Sequence, residues 1–407
     1  MRPFRKLERY DAALNKVLER VDLLDDVIIS VEKSLGMVTA EDVLSKIDIP
    51  PWDISAVDGY AVKSDDVVLA SYDTPVKLKV VGSSMAGKPF RGAVSKGKAV
   101  KIATGAVIPK GADTVVMAEY TEEKNGELFV YTQSPPGKNI SKRGRVLRTG
   151  ETVIEKGRFI SPVDYGLMLQ AGVESVRVRR RPRILIFSIG DELVDSASDL
   201  RPGYTVETNR RIIGRILSRY GIVDDLGILP DRVDEIAKAV TADGYDLSIS
   251  FSGTSVGERD LVRQAVEESG EVVVHGVSQK PGKPLLAGVI GGRLHLGLPG
   301  FPVSTLMCFS QFVIPVLYKM LGVRDEWPRY RLRVTLAESV ACEPGVRCYV
   351  RVKIRDGEAY PLTVAGSDML TSVSSADGIL IVETDVEGYA KGEMIEVIPI
   401  DEFLGLR

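Results

Sequence analysis

Apolar positions recur at helical spacing near the N-terminus, where Leu14, Val17, Leu18 and Val21 fall on one face of residues 11 to 21. The pattern predicts a short amphipathic helix, with Asp11 placed as its cap. From Asp26 the runs become strand-like, and at Ile49-Pro50-Pro51-Trp52 two prolines exclude a continuing helix or central strand. Short alternating runs follow at Val76 to Val81, Ala99 to Ile102, Thr114 to Met117 and Leu128 to Tyr131, broken by Gly, Pro and Asn-Gly. They predict a small β-rich domain that ends at Pro135-Pro136-Gly137. A helix-like stretch, Pro162 to Ala171, precedes Arg177-Val-Arg179-Arg180-Arg181-Pro182-Arg183, which reads as a solvated linker.

From Ile184 strand and helix patterns alternate. Strands are predicted at Ile184 to Ser188, Asp225 to Ile228, Leu247 to Phe251, Glu271 to His275 and Leu294 to Leu298. Helices are predicted at Arg210 to Tyr220, Val233 to Thr241, Asp260 to Ser269 and Val303 to Leu321. This order predicts a doubly wound, mostly parallel sheet with helices on both faces. Residues 330 to 400 return to short strands around Pro344-Gly345 and Asp356-Gly357, as in a terminal β-barrel or sandwich.

With 407 residues the chain is too long for one core. Lys and Arg number 53 against 56 Asp and Glu, so no net charge draws the whole protein to nucleic acid or anionic lipid. Any basic site is local. One candidate is Lys138, Lys142, Arg143, Arg145 and Arg148, which reads either as a solvated face or as an anion-facing one. The longest apolar stretches, such as Ile184 to Phe187 and Phe312 to Leu317, fall short of the roughly 20 residues that span a bilayer. The N-terminus Met-Arg-Pro-Phe-Arg-Lys lacks a signal-type apolar core, so a cytoplasmic protein without membrane contact is expected. Cys308, Cys342 and Cys348 form no Cys-x-x-Cys pair and predict neither a disulfide framework nor a zinc site. Only His275 and His295 occur, which argues against a histidine relay.

The strand ending at Phe251 runs into Ser252-Gly253-Thr254-Ser255-Val256-Gly257-Glu258-Arg259-Asp260 and then a helix, at the carboxyl edge where open α/β sheets bind ligands. Small residues let backbone amides approach an anion beside the positive end of the next helix. The loop lacks the Gly-Lys-[Ser/Thr] ending of an NTPase loop, and by itself it also reads as a simple turn. Other strand ends add Gly190-Asp191-Glu192, Glu207-Thr208-Asn209-Arg210 and Asp231. These acids suit either a hard divalent cation beside a phosphate or plain helix capping, for which Thr208, Asn209 and Asp260 are all placed. Lys280-Pro281-Gly282-Lys283-Pro284 holds two lysines on a chain stiffened by proline, which favours phosphate or oxyanion binding. Leu298-Pro299-Gly300-Phe301-Pro302 turns the last strand into a long helix.

Taken together, Asp53 to Ala61, Thr104-Gly105-Ala106, Asn139-Ile140 with Gly144, Gly190-Asp191-Glu192, Thr208-Asn209-Arg210 and Ser255-Val-Gly-Glu-x-Asp260 resemble the MoeA family, which includes the gephyrin E domain. Lys280 to Pro284, Leu298 to Pro302, Gly366-Ser367 to Ser372 and Ala376-Asp377-Gly378 extend the resemblance over nearly the whole chain. It implies a discontinuous N-terminal linking domain (1–48 and 147–176), an inserted β-rich domain (49–146), a MogA-like α/β domain (177–325) and a C-terminal β-barrel-like domain (326–407).

The resemblance further implies a molybdopterin molybdenumtransferase that converts adenylylated molybdopterin and molybdate, or tungstate, to molybdenum cofactor and AMP with Mg²⁺. By family correspondence Asp58, Thr104, Glu192, Asp231 and Asp260 lie around metal, pyrophosphate and attacking water, with Glu192, Asp231 and Asp260 as metal ligands. Ser252, Gly253, Thr254, Ser255, Gly257, Pro299 and Pro302 line the pterin nucleotide, and Lys280, Lys283, Arg351 and Ser372 face the oxyanion. It implies a homodimer in which Asp58 and Thr104 of one subunit complete the site of the other, with transient contacts to the pterin adenylyltransferase and to cofactor-accepting enzymes. Departures exist: Arg145 and Val146 follow Gly144 where relatives carry Glu-Asp, Ser252-Gly253 replaces Gly-Gly, and Gly276 stands where a lysine is common. A non-catalytic carrier or scaffold of the same fold is the alternative. Pterin adenylylation is a third reading, opposed by the extra domains that carry Asp58 and Ser372.

Overall fold

The computed structural model describes residues 7–252, 260–362 and 369–406. Helix α1 (Tyr10–Glu19) begins after Arg9, so Asp11 sits in its first turn and is not its cap. Its apolar face, Tyr10, Ala13 and Val17, is buried in the core of the α/β module. Strand β1 (Asp26–Ser30) pairs antiparallel with β2 (Ser175–Arg179), and α2 (Pro162–Gln170) packs beside them over Ile154, Ile160, Met168 and Val178. A reciprocal capping box between Ser161 and Asp164 starts α2. Inserted between these halves is a six-stranded sheet built from Gly59–Val62, Val76–Ser84, Lys98–Ile102, Thr114–Met117, Thr121–Lys124 and Glu127–Val130.

The arginine-rich segment is not the solvated linker that its composition predicts. Residues 175–179 form a strand, and their neighbours clamp the linking unit to the α/β module. Arg177 pairs with Asp26, Arg180 makes a two-pronged bond to Asp246 at 2.7 and 2.6 Å, and Arg183 pairs with Asp224. Ionic partners drawn from three segments hold this stretch rigid.

The α/β module contains, in order, β3 (Arg183–Ile189), α3 (Asn209–Leu217), β4 (Ile222–Leu229), α4 (Val233–Val240), β5 (Leu247–Ser252), α5 (Leu261–Ser269), β6 (Glu271–His275), β7 (Leu286–Ile290), β8 (Arg293–Pro299) and α6 (Pro302–Leu321). The sheet order is β4-β3-β5-β8-β7-β6. Only β7, which no apolar run predicts, runs opposite to the other five strands. The chain leaves β3 toward one edge and β5 toward the other, so the topological switch point lies between them. Helix α6 contains a π turn at Phe309–Val313. By length and composition its 20 residues would cross a membrane, but the apolar window is 83% buried within the fold, as in a core helix.

In the C-terminal module five strands close on themselves: Arg347–Arg355, Glu358–Pro361, Leu332–Leu336, Met394–Pro399 and Gly378–Val382, which returns to pair with the first. Closure removes exposed edges and makes a barrel. A short strand of the α/β module, Gln279–Lys280, adds to the outside of this barrel beside Arg347 and Cys348. Contrary to the cysteine spacing, Cys342 and Cys348 are joined in a disulfide, while Cys308 is free and buried. The Pro344-Gly345 turn folds the two cysteines together, which linear spacing does not reveal.

Candidate functional site

Three parallel strands end in register, with Ile189 beside Ser252 and Ser252 beside Pro299. The turns Gly190-Asp191-Glu192 and Pro299-Gly300-Phe301-Pro302 therefore leave the sheet at the same edge as Ser252. Gly253, Thr254, Ser255 and Gly257 lie outside the described residues, as do Gly366 and Ser367. Ser188 and Ser252 are buried at the strand ends, and among the described residues neither hydroxyl has a hydrogen-bond partner.

Beneath Ser252 the sheet face carries Ser250 and Ser248, both bonded to the imidazole of His295, at 3.1 and 2.8 Å. His295 is fully buried and stacked on Phe187. Burial without a charged partner pushes its pKa down to about 3, so the ring is neutral at physiological pH. Two serines satisfy both ring nitrogens, which rigidifies the strand that leads to the loop.

The acids do not form one metal cage. Among the described residues no group of three or more His, Cys, Asp or Glu side chains is placed to hold a metal ion. Glu192 and Asp231 are exposed, and the Asp231 amide donates to Asp191 Oδ1 at 3.3 Å. The Glu192 carboxylate lies over Gly190, where a Cβ would stand 2.7 Å from Oε2. Asp260 is the cap of α5: its Oδ1 accepts from the Arg263 amide at 3.0 Å, and Oδ2 meets His275 Nε2 at 2.9 Å. Both oxygens are engaged. The set fits a cation held by one or two carboxylates together with substrate phosphates, and does not fit a dedicated protein cage.

Thr208 and Asn209 do not cap α3 with their side chains. Glu207 Oε1 accepts from the Arg210 amide instead, at 2.8 Å. Asn209 Nδ2 reaches the Gly300 carbonyl at 2.6 Å and ties α3 to the Pro299-Gly300 turn. Buried Arg210 pairs with Asp195 and Asp225 and faces Glu207 Oε2 at 3.7 Å.

Lys280 and Lys283 are exposed on a loop anchored from below. Gln279 donates to the Gly282 carbonyl at 2.8 Å and accepts from Tyr349 at 2.9 Å. Gly282 has φ +105°, and a Cβ there would stand 2.8 Å from Cys308 Sγ, so only glycine fits. Lys280 Nζ lies 3.4 Å from Glu343. Arg351 is half-buried on the barrel strand that starts at Arg347, and burial lowers its pKa. Ser372 is buried in a short helix, Leu370–Ser374, and donates to the Met369 carbonyl at 2.7 Å.

Asp58 and Thr104 come together in the inserted sheet, where the Thr104 amide donates to Asp58 Oδ1 at 2.8 Å. Both are exposed, and the neighbours Val57 and Ala103 belong to a core separate from that of the α/β module. Of the local cations, Lys142 pairs with Asp53 at 2.7 Å and Arg143 with Asp48. Sequence reasoning missed the His275–Asp260 contact, the serine–histidine ladder and the Arg210 cluster, because each joins residues distant in sequence.

Family models match along the chain: the MoeA N-terminal region (domain I and II) at residues 8–172, a domain described as "Probable molybdopterin binding domain" at 185–319, and the MoeA C-terminal region (domain IV) at 333–400. A relative from Haemophilus influenzae named molybdopterin molybdenumtransferase is 31% identical over 97% of this chain and 99% of its own length. A crystal structure of a molybdopterin biosynthesis MoeA protein from Pyrococcus horikoshii superposes with TM-score 0.85 at 28% identity, over 96% of this chain and 99% of that one. Another crystal structure of a MoeA protein from a Pyrococcus gives TM-score 0.80 at 33% identity, over 97% and 99%. With all three regions present in order and relatives matched end to end, the chain belongs to the MoeA family.

Proposed function

We propose that this protein is a molybdopterin molybdenumtransferase that passes molybdate, or tungstate, to adenylylated molybdopterin with release of AMP in molybdenum cofactor biosynthesis. The observation that carries the reading is the in-register ending of Ile189, Ser252 and Pro299 at the topological switch point of the sheet. Such an edge, with a helix start beside it, suits the diphosphate of a nucleotide. The name of the Haemophilus relative supports the transfer reaction.

Residue roles follow from what each group offers. Lys280 and Lys283, exposed on an anchored loop, would supply positive charge for a tetrahedral dianion, and Arg351 of the barrel strand would add to it. Glu192 and Asp231 would hold Mg²⁺ with the nucleotide's phosphates, where the cation would neutralise charge on the pyrophosphate. Asp260 Oδ2, held by His275, would accept a hydrogen bond from an attacking water. Asp58 and Thr104 of a second copy would complete the edge in a homodimer. A cytoplasmic setting, and brief contacts with the pterin adenylyltransferase and with cofactor-accepting enzymes, belong to the same proposal.

The test incubates purified protein with adenylylated molybdopterin, Mg²⁺ and either oxyanion, and follows AMP. Release that requires molybdate or tungstate supports the reading. Nucleotide binding without AMP from either oxyanion would make the chain a carrier. The replacement of two family acids by Arg145 and Val146 gives that second outcome its basis.

A further inference from the structure

The disulfide closes a small loop, residues 342–348, that clasps the base of the lysine loop from the barrel side. The Arg347 amide donates to the Ser278 carbonyl at 3.0 Å, and Ser278 Oγ donates to the Gly345 carbonyl at 2.7 Å. In the parallel register Gln279 lies beside Arg347 and Lys280 lies beside Cys348 itself. Glu343, inside the closed loop, reaches Lys280 Nζ at 3.4 Å. Tyr349, next to Cys348, fixes Gln279, which in turn holds Gly282. The hydrogen bonds that hold Ser278 and Gln279 to the barrel originate within the disulfide loop or one residue beyond it.

We propose that Cys342 and Cys348 are positioning residues for Lys280, and that opening their disulfide weakens oxyanion binding at the lysine loop. This rests on the reading of Lys280 as an oxyanion contact. Closing the loop removes backbone freedom from residues 342–348, so Gly345, Arg347 and Cys348 stay in place against Ser278 and Lys280. With the bond open, that stretch is restrained only by its hydrogen bonds, and the lysine ammonium samples a wider volume. A dithiol reductant supplies two electrons and two protons; the S–S bond breaks into two thiols, and the reductant closes to a cyclic disulfide.

Two measurements test this on the full-length protein. Alkylation in guanidinium without reductant should label a single thiol, Cys308, and three after reduction. Three labelled thiols without reductant would overturn the proposal. Molybdate titrated calorimetrically into oxidised, dithiol-reduced and Cys342→Ser/Cys348→Ser protein should bind about tenfold more weakly to the last two, with unchanged far-ultraviolet circular dichroism. Equal affinities, or no binding by any form, would overturn it. Binding that follows the disulfide while no form releases AMP would sustain this proposal and sink the transferase reading, so the two failures are distinguishable.

Discussion

His275 Nε2 stands 2.9 Å from Asp260 Oδ2, while the other carboxylate oxygen caps helix α5. An ionised carboxylate only accepts, so Nε2 carries the proton. The contact ties the start of α5 to the end of β6. Asp260 follows the loop after Ser252, and five residues beyond His275 the chain reaches Lys280.

Replacing His275 by Phe removes the donor and leaves Asp260, among the described residues, with its capping bond alone. AMP release should fall about tenfold in kcat, in line with roughly 1.5 kcal/mol for a hydrogen bond to a charged group, with little change in nucleotide KM. His275→Gln, which retains a donor, should recover most of the rate. Steady-state kinetics of both variants decide it; wild-type kcat in His275→Phe would reject the role.

Asp260 also serves the fold. Asp260→Ala should cost about 1 kcal/mol through the lost cap, whereas Asp260→Asn keeps a good capping residue and should unfold within about 0.5 kcal/mol of wild type. Urea denaturation measures this. AMP release should fall far more than nucleotide binding in Asp260→Asn, and full turnover there would leave Asp260 as a cap alone.

Neutral, buried His295 makes stability depend on pH. Its folded pKa of about 3 lies below the unfolded 6.5, so the unfolded chain binds the proton first as pH falls. The contribution is complete above pH 6.5 and is lost toward pH 3, at up to about 1.4 kcal/mol per pH unit. Guanidinium unfolding of wild type and His295→Asn between pH 4 and pH 7 isolates this slope. Parallel curves would show that His295 does not carry it.

Arg210 is buried against Glu207 and also holds Asp195 and Asp225. Arg210→Ala leaves the buried Glu207 carboxylate without its cation and should destabilise by about 3–5 kcal/mol. A shift below 1 kcal/mol by urea melting would contradict that assignment.

Lys280 and Glu343 form an exposed pair, so the carboxylate competes weakly with any bound oxyanion. Glu343→Gln should lower the molybdate needed for half-maximal AMP release about twofold, and Lys280→Ala should raise it about tenfold or more. No change in either would separate Lys280 from the oxyanion.

Much of the architecture was legible because the period of apolar residues follows the burial of each element. The runs at Leu247, Glu271 and Leu294 mark three strands of the sheet. Strand β7 was overlooked although its signal was present: Gly291-Gly292, both at positive φ, separate Leu286–Ile290 from Arg293–Pro299 as a two-residue hairpin turn. Of the candidate site, Glu192, Asp231, Asp260 and the lysines were visible as polar residues at strand ends and in a stiffened loop. What joins them was not. The His275–Asp260 contact and the His295 ladder depend on tertiary register, which composition and local period do not encode, and the Cys342–Cys348 bond depends on how the Pro344-Gly345 turn folds.

The most direct measurement is AMP formed in a single turnover from adenylylated molybdopterin by wild-type protein with Mg²⁺, as molybdate is raised from zero. The account predicts AMP that rises and saturates with molybdate, at higher concentrations in Lys280→Ala. An AMP yield that stays at the no-enzyme background across the whole molybdate range, and with tungstate in its place, would contradict it.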